Sequence, residues 1–273
     1  MSYETITYAV DDRVAVITLN RPEVMNAMSL KLCVEIKDAV ARADADDDAR
    51  VVVLRGAGGK AFSAGYDLMD AGAEEFRTGG VESWNRRMNH DLQFTYSVWR
   101  CSKPTIAMIE GYCLAGGLEF AQMHDIRYCS DDARFGVVET RFSAGIATMA
   151  MPWILGQRCR ELIYTGDIIG AAEAKELGLV SRVFPKADIE AEVMKIAKRM
   201  SRVAMDCLRW NKRAINQTYE TMGFGAALAY GAEAASILDG TETPELKQFN
   251  EVRREQGLKA ANAWRKAQFA EFE

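Results

Sequence analysis

The apolar positions of this chain change their period along its length. Residues 4–10, ETITYAV, and 14–19, VAVITL, alternate or run apolar with β-branched side chains. Asp11-Asp12 between them suits a hairpin turn, so the pattern predicts two paired strands. Asn20, Arg21 and Pro22 break that pattern. Residues 29–44 then set Leu30, Val34, Ile36 and Val40 at helical spacing behind Ser29, a good N-cap. VVVLRG (51–56), TIAMI (105–109) and IRYCS (126–130) are short apolar runs that predict buried strands. Residues 72–100 are polar and helix-prone without a clear period, and read as a mobile helical excursion. AAEAKELGLVSRVF (171–184) reads helix, glycine stop, strand. From about residue 186 the strand signal disappears, and helices follow with breaks near Gly223, Gly240–Pro244 and Gly257. Strands alternating with helices predict an α/β core with a helical tail.

Composition narrows the function. The 273 residues are 49% hydrophobic and 27% charged, a globular balance that supports a sizeable core. A net charge of -5 and a pI near 5.4 argue against nonspecific nucleic-acid binding. The N-terminal segment carries acids and no apolar h-region, and no long uncharged apolar stretch exists, so neither a signal peptide nor a membrane span is expected. The six cysteines form no CxxC pair and read as reduced core residues of a cytoplasmic protein. The two histidines rule out a His-rich metal site; His124 reads as structural and His90 as exposed.

Two glycine-containing segments carry the candidate chemistry. AFSAGYDL (61–68) follows a strand, and its small Ala64 and Gly65 permit close approach to the backbone. The amide of Tyr66 would then point at an anion or a developing oxyanion, although a strand-to-helix turn capped by Asp67 explains the same residues. TIAMIEGYCLAGGLEF (105–120) reads strand, turn, then a helix opening at Ala115-Gly116-Gly117. The amide of Gly116 is a second candidate donor. Glu119 falls in the first helical turn, where the helix dipole favours an acid; the dipole does not explain its apolar surroundings. A second acid, Glu139, sits in the mostly apolar RFGVVETRF. Two carboxylates flanking an oxyanion hole make a sensible acid–base pair.

LNRPEVMNAMS (19–29), AFSAGYDL (61–68), KPTIAMIEGYCLAGGLEFAQMHDI (103–126), ARFGVVET (133–140) and TGDIIGAAEAKELGLVSRVFP (165–185) occur in order. Over essentially its whole length the chain resembles the crotonase superfamily, the enoyl-CoA hydratases and isomerases. The resemblance implies an α/β fold: a spiral of ββα units over residues 1–200 and a C-terminal helical oligomerisation region, 201–273, giving a homotrimer or a dimer of trimers. It implies an acyl-CoA thioester substrate, no metal and no cofactor beyond the CoA of the substrate. It places Glu119 and Glu139 as the catalytic pair and the amides of Tyr66 and Gly116 as the oxyanion hole. CoA and substrate contacts are expected at Val24, Asn26, Ala64, Gly65, Asp67, Leu68 and Gly117. Trp84, Phe94, Tyr96 and Trp99 read by default as core packing, although they lie where such proteins often wall the acyl pocket.

The chain also departs from the pattern. After Glu139 it runs TRFSAGIATMAMP, with Ile146 and Ala147 where a Gly-x-x-Pro-Gly loop usually has its Pro-Gly. Arg141 would lower the pKa of Glu139 if it turned inward. Glu23 replaces a basic residue common near CoA, and Tyr66 replaces a small one. Hydratase is the first reading, double-bond isomerase the second, and an idle crotonase-fold binding protein the third.

Overall fold

The structure, a computed structural model, describes residues 3–73, 76 and 79–272. Strands β1 (Ile6–Asp11) and β2 (Val14–Leu19) form the expected hairpin, with Asp12 and Arg13 both at positive φ in the turn. Helix α1 (Leu30–Ala45) starts where the sequence signal placed it, and the Ser29 hydroxyl accepts from the Leu32 amide at 3.3 Å.

From β3 (Val51–Gly56) to β8 (Arg134–Gly136), successive strands alternate between two sheets. The larger sheet runs β1-β2-β3-β5-β7-β10, with β5 (Thr105–Ile109), β7 (Ile126–Ser130) and β10 (Arg182–Phe184) parallel to β3. The smaller one runs β4 (Ala61–Ser63), β6 (Tyr112–Leu114), β8 (Arg134–Gly136) and β9 (Ile168–Gly170). Helix α2 (Gly80–Arg100) joins β4 to β5, and helix α3 (Gly116–Gln122) joins β6 to β7. Each ββα unit thus adds one strand to each sheet.

The larger sheet is buried on both faces, which is why its strands read as unbroken apolar runs. Val51 and Val53 pack with Ile106 and Met108 against Ile189 and Val193 of helix α7 (Ile189–Met200). Val52, Leu54 and Ala107 face the main core. The remaining helices are α4 (Met151–Leu155), α5 (Cys159–Thr165) and α6 (Ala171–Leu177), then, beyond α7, α8 (Met205–Thr221), α9 (Phe224–Thr241), α10 (Pro244–Gln256) and α11 (Leu258–Ala267). Gly178, Gly223 and Gly257 all adopt positive φ at helix ends, as the breaks predicted.

Three expectations are corrected. Helix α2 is packed rather than a mobile excursion: Ser83, Arg87, Asp91 and Thr95 are buried alongside Met88, Leu92, Phe94 and Val98. Its period is helical, but polar side chains fill half of the inward face, so an apolar template cannot detect it; residues 74, 75, 77 and 78 lie outside the described residues. Five cysteines are buried, whereas Cys207 is exposed on α8, where no core claims it. His90 is only partly exposed, with its Nδ1 3.3 Å from Asp91. His124 is buried and donates from Nδ1 to the Phe120 carbonyl at 3.0 Å; burial pushes its pKa down to about 3, so it stays neutral. Among the described residues no helix is long and apolar enough to cross a membrane.

Candidate active site

The first glycine segment is a turn clamped from both sides. The Ser63 hydroxyl accepts from the Gly65 amide at 3.2 Å and donates to the Asn26 carbonyl at 2.9 Å. The Met28 amide donates to the Gly65 carbonyl, and the Asp67 amide donates back to the Met28 carbonyl. Tyr66 lies between those two bonds, and no acceptor among the described residues takes its own amide. Gly65 is required there by its φ of +103° and by close packing, since a Cβ would stand 2.8 Å from the Ala115 Cβ.

The second segment arrives at the same point. Ala115 is held at φ 51° and ψ -134°, a conformation costly for a residue with a Cβ. It caps α3 through its carbonyl, which accepts from the Leu118 and Glu119 amides. The Gly116 amide, first in the helix, has no acceptor among the described residues. The Tyr66 ring lies over Gly116 where any Cβ would be. Two unused amides, one from each segment, therefore open on one cavity of ≈ 1080 Å³, counting its open mouth.

Both glutamates line that cavity and both are buried, 4% and 8% exposed. The Glu119 carboxylate accepts from the Thr148 amide at 2.7 Å. Glu139, on a short 3-10 turn (Val138–Phe142), has neither carboxyl oxygen hydrogen-bonded. Burial raises the Glu119 pKa to about 7. Burial, then the nearby Glu119 charge, raise that of Glu139 well above the usual range. The two titrations belong to the pair rather than to either residue alone.

The altered loop after Glu139 is anchored by other means than a proline. The Ala144 amide donates to the Glu139 carbonyl, and the Gly145 amide donates to Asp239 of α9 at 2.7 Å. Gly145 lies so close to α9 that a Cβ would meet the Ala235 Cα at 2.6 Å. Thr148, at the loop's far end, binds the Thr95 hydroxyl at 2.9 Å as well as Glu119. Arg141 turns away, onto the Thr165 carbonyl and Asp167, so it does not lower the pKa of Glu139.

Ala64, Tyr66, Asp67, Leu68, Gly116, Glu119 and Glu139 thus share one cavity, while Val24, Asn26, Gly65 and Gly117 are not on its wall. Val24 is 40% exposed on a separate turn. Asn26 is fully buried; its side chain accepts from Arg21 and donates to the Ala57 and Ala61 carbonyls, a scaffold role. Gly117 packs on Ser63, whose carbonyl a Cβ would meet at 2.6 Å. Of the four aromatics expected around the acyl pocket only Trp84 lines it. Phe94 stacks on Phe120, Tyr96 meets Phe224, and Trp99 packs on Tyr219 and Phe224. The walls come instead from Phe76, Phe142 and Phe249, with Arg87, Asp91 and Asp239. Asp239 carried the signal that marked Glu119, an acid inside an apolar helix (AASILDGT), and was passed over.

Comparison with known proteins agrees with this geometry. Residues 10–242 match the family model described as enoyl-CoA hydratase/isomerase. The chain is 40% identical over 246 residues to a putative enoyl-CoA hydratase, EchA13, of Mycobacterium tuberculosis, covering 83% of this chain and 76% of that protein. It is 37% identical over 200 residues to the mitochondrial Delta(3,5)-Delta(2,4)-dienoyl-CoA isomerase of Rattus norvegicus, covering 69% and 61%. A crystal structure of an enoyl-CoA hydratase/isomerase from Xanthobacter autotrophicus Py2 superposes with a TM-score of 0.93 at 39% identity, over 98% of this chain and 99% of that one. With its alternating ββα units and this extent of match, the chain belongs to the enoyl-CoA hydratase/isomerase family of the crotonase superfamily.

Proposed function

We propose that the protein is an enoyl-CoA hydratase, adding water across the 2,3-double bond of an acyl-CoA thioester. The observation that carries this reading is the shared wall: two unused amides and two buried glutamates face one cavity. The thioester oxygen accepts from the amides of Tyr66 and Gly116, which stabilise the enolate as it forms. Glu119, held by the Thr148 amide, takes a proton from water as the water oxygen bonds to C3. Glu139, kept protonated by burial, gives its proton to C2. A 3-hydroxyacyl-CoA results, and the proton balance between the two acids is restored by exchange with solvent. This chemistry calls for no metal and no cofactor beyond the CoA ester. Ala64, Asp67 and Leu68 line the same cavity and would meet the CoA portion; Arg21 pairs with Asp67 at 2.8 Å.

The test is loss of the conjugated thioester absorbance on addition of crotonyl-CoA and longer or cyclic enoyl-CoAs. Turnover of at least one is expected; none, with acyl-CoA binding intact, would sink the hydratase reading. One observation favours an isomerase as the second reading: only Glu119 holds a hydrogen bond from the loop that would orient water, as a single proton-shuttling acid would require. We also propose self-association through α8, α9 and the link between them, which expose Trp210, Ile215, Met222, Tyr230 and Ile237. Light scattering at a trimer or hexamer mass is the expected result.

A further inference from the structure

The cavity wall carries a charged pair that the hydration chemistry does not use. Arg87 and Asp91 lie one turn apart on α2, 6% and 2% exposed, between Trp84, Met88 and Tyr66. The Arg87 Nε donates to Asp91 Oδ2 at 2.7 Å. The guanidinium carbon stands 5.2 Å from the centre of the Tyr66 ring and 5.9 Å from that of Phe76. The two partners are unequally satisfied. Both Asp91 oxygens are engaged, one by Arg87 and the other 3.3 Å from His90 Nδ1. Arg87 makes that single hydrogen bond, so its terminal Nη donors meet no acceptor among the described residues.

A pair kept only for stability has little reason to be here. Buried ion pairs are commonly no better than apolar side chains of equal volume, and strong Arg–carboxylate pairs use both terminal nitrogens. A guanidinium with spare donors, sandwiched near two aromatic rings on the wall of an apolar cavity, is instead a preorganised donor for a ligand oxygen. The Tyr66 hydroxyl, also buried without a partner, belongs to the same wall. Asp91 already balances the Arg87 charge, so a neutral acceptor matches the site better than a second carboxylate.

Building on the acyl-CoA reading, we propose that Arg87 reads a second oxygen function on the acyl group, a keto or hydroxyl oxygen beyond the thioester. The substrate class is then oxygenated acyl-CoAs rather than plain hydrocarbon chains. In this assignment Arg87 is a specificity residue that touches the acyl group without joining the proton transfers.

The test measures binding rather than turnover, so it does not depend on the hydratase chemistry. Dissociation constants are determined by calorimetry for saturated esters in matched pairs: hexanoyl-CoA with 5-oxohexanoyl-CoA, and 3-phenylpropanoyl-CoA with 3-(4-acetylphenyl)propanoyl-CoA; adipoyl-CoA is the carboxylate arm. The keto member of at least one pair is expected to bind about tenfold or more tightly than its plain partner, and more tightly than adipoyl-CoA. Arg87→Lys, which keeps the ion pair, and the double variant Arg87→Leu/Asp91→Leu, which replaces it by apolar side chains, should both lose that preference while still binding the plain ester. Equal binding within both pairs, or a preference that survives both variants, overturns this inference and leaves the acyl-CoA reading standing. Tighter binding of adipoyl-CoA overturns the choice of a neutral oxygen. No binding of any ester overturns both readings together.

Discussion

Glu119 and Glu139 differ by twenty residues in sequence and face one cavity, yet the chain holds them in different ways. Glu119 stands in the first turn of α3, where the helix dipole and the Thr148 amide both favour its ionised form. Glu139 stands on a 3-10 turn with no hydrogen bond to either oxygen and the Glu119 charge nearby. Burial raises both, Glu119 to about 7 and Glu139 well above the usual carboxyl range; the interaction between the two carboxyls lowers the first and raises the second, and the Thr148 amide adds to the lowering of Glu119. On the proposed hydratase reading, one acid then accepts a proton and the other donates it. The residue types are identical; their attachments differ.

Replacing each acid by glutamine tests that division most severely. If both act in hydration, Glu119→Gln and Glu139→Gln should each lower kcat by about 10²–10⁴-fold, with binding of saturated acyl-CoAs kept within a few fold. An isomerase would depend strongly on one acid and tolerate loss of the other. Equal tolerance at both positions would break the comparison altogether, because neither attachment would then matter.

The contrast was only half visible in the amino-acid pattern. Strands β3, β5 and β7 announce themselves because burial on both faces leaves mostly apolar residues. Glu119 was conspicuous as an acid among apolar neighbours. Its partner Thr148 is invisible in the sequence, since a backbone amide has no residue signature. Helix α2 hides its period because Arg87 and Asp91 pair inside the protein, and polarity usually signals solvent. The side-chain amide of Asn26 is spent on three backbone groups, a commitment that only the fold reveals. What spacing conveys is which backbone segments approach the cavity; it does not convey which side chains are already occupied.

Asp239 offers a milder way to sharpen the difference between the acids. Its carboxyl is buried, raised by burial to about 6, and holds the Gly145 amide of the loop that runs on from Glu139 to Thr148. Its negative charge also helps to raise the pKa of Glu139. Asp239→Asn keeps an acceptor for Gly145 and removes the charge, so the Glu139 pKa should fall. The alkaline limb of the rate profile, where Glu139 loses its proton, should move to lower pH while kcat at its optimum stays within a few fold. Asp239→Ala also frees the loop and should cost about tenfold in kcat. If the asparagine variant leaves the alkaline limb in place, Asp239 acts on the loop alone.

The smallest effect concerns stability, and its sign follows from the direction of the shifts. A carboxyl whose pKa is raised in the folded state contributes stability that is fully present below its unfolded value, about 4.3, and is lost as pH rises through the folded value. For Glu119 that window closes at about pH 7. The same sign holds for Glu139, which burial and the nearby Glu119 charge raise well above the usual carboxyl range. Glutamine resembles the protonated form and does not titrate, so each variant should gain on the parent as pH rises, by a few degrees in melting temperature. Each gain should be larger at pH 7 than at pH 5, and that of Glu119→Gln should level off just above neutrality. Melting curves at pH 5, 7 and 9 decide it. A variant that melts in parallel with the parent across that range would mean that burial does not raise the pKa of the acid it replaces, and that the apolar wall has no consequence for the proton that acid holds.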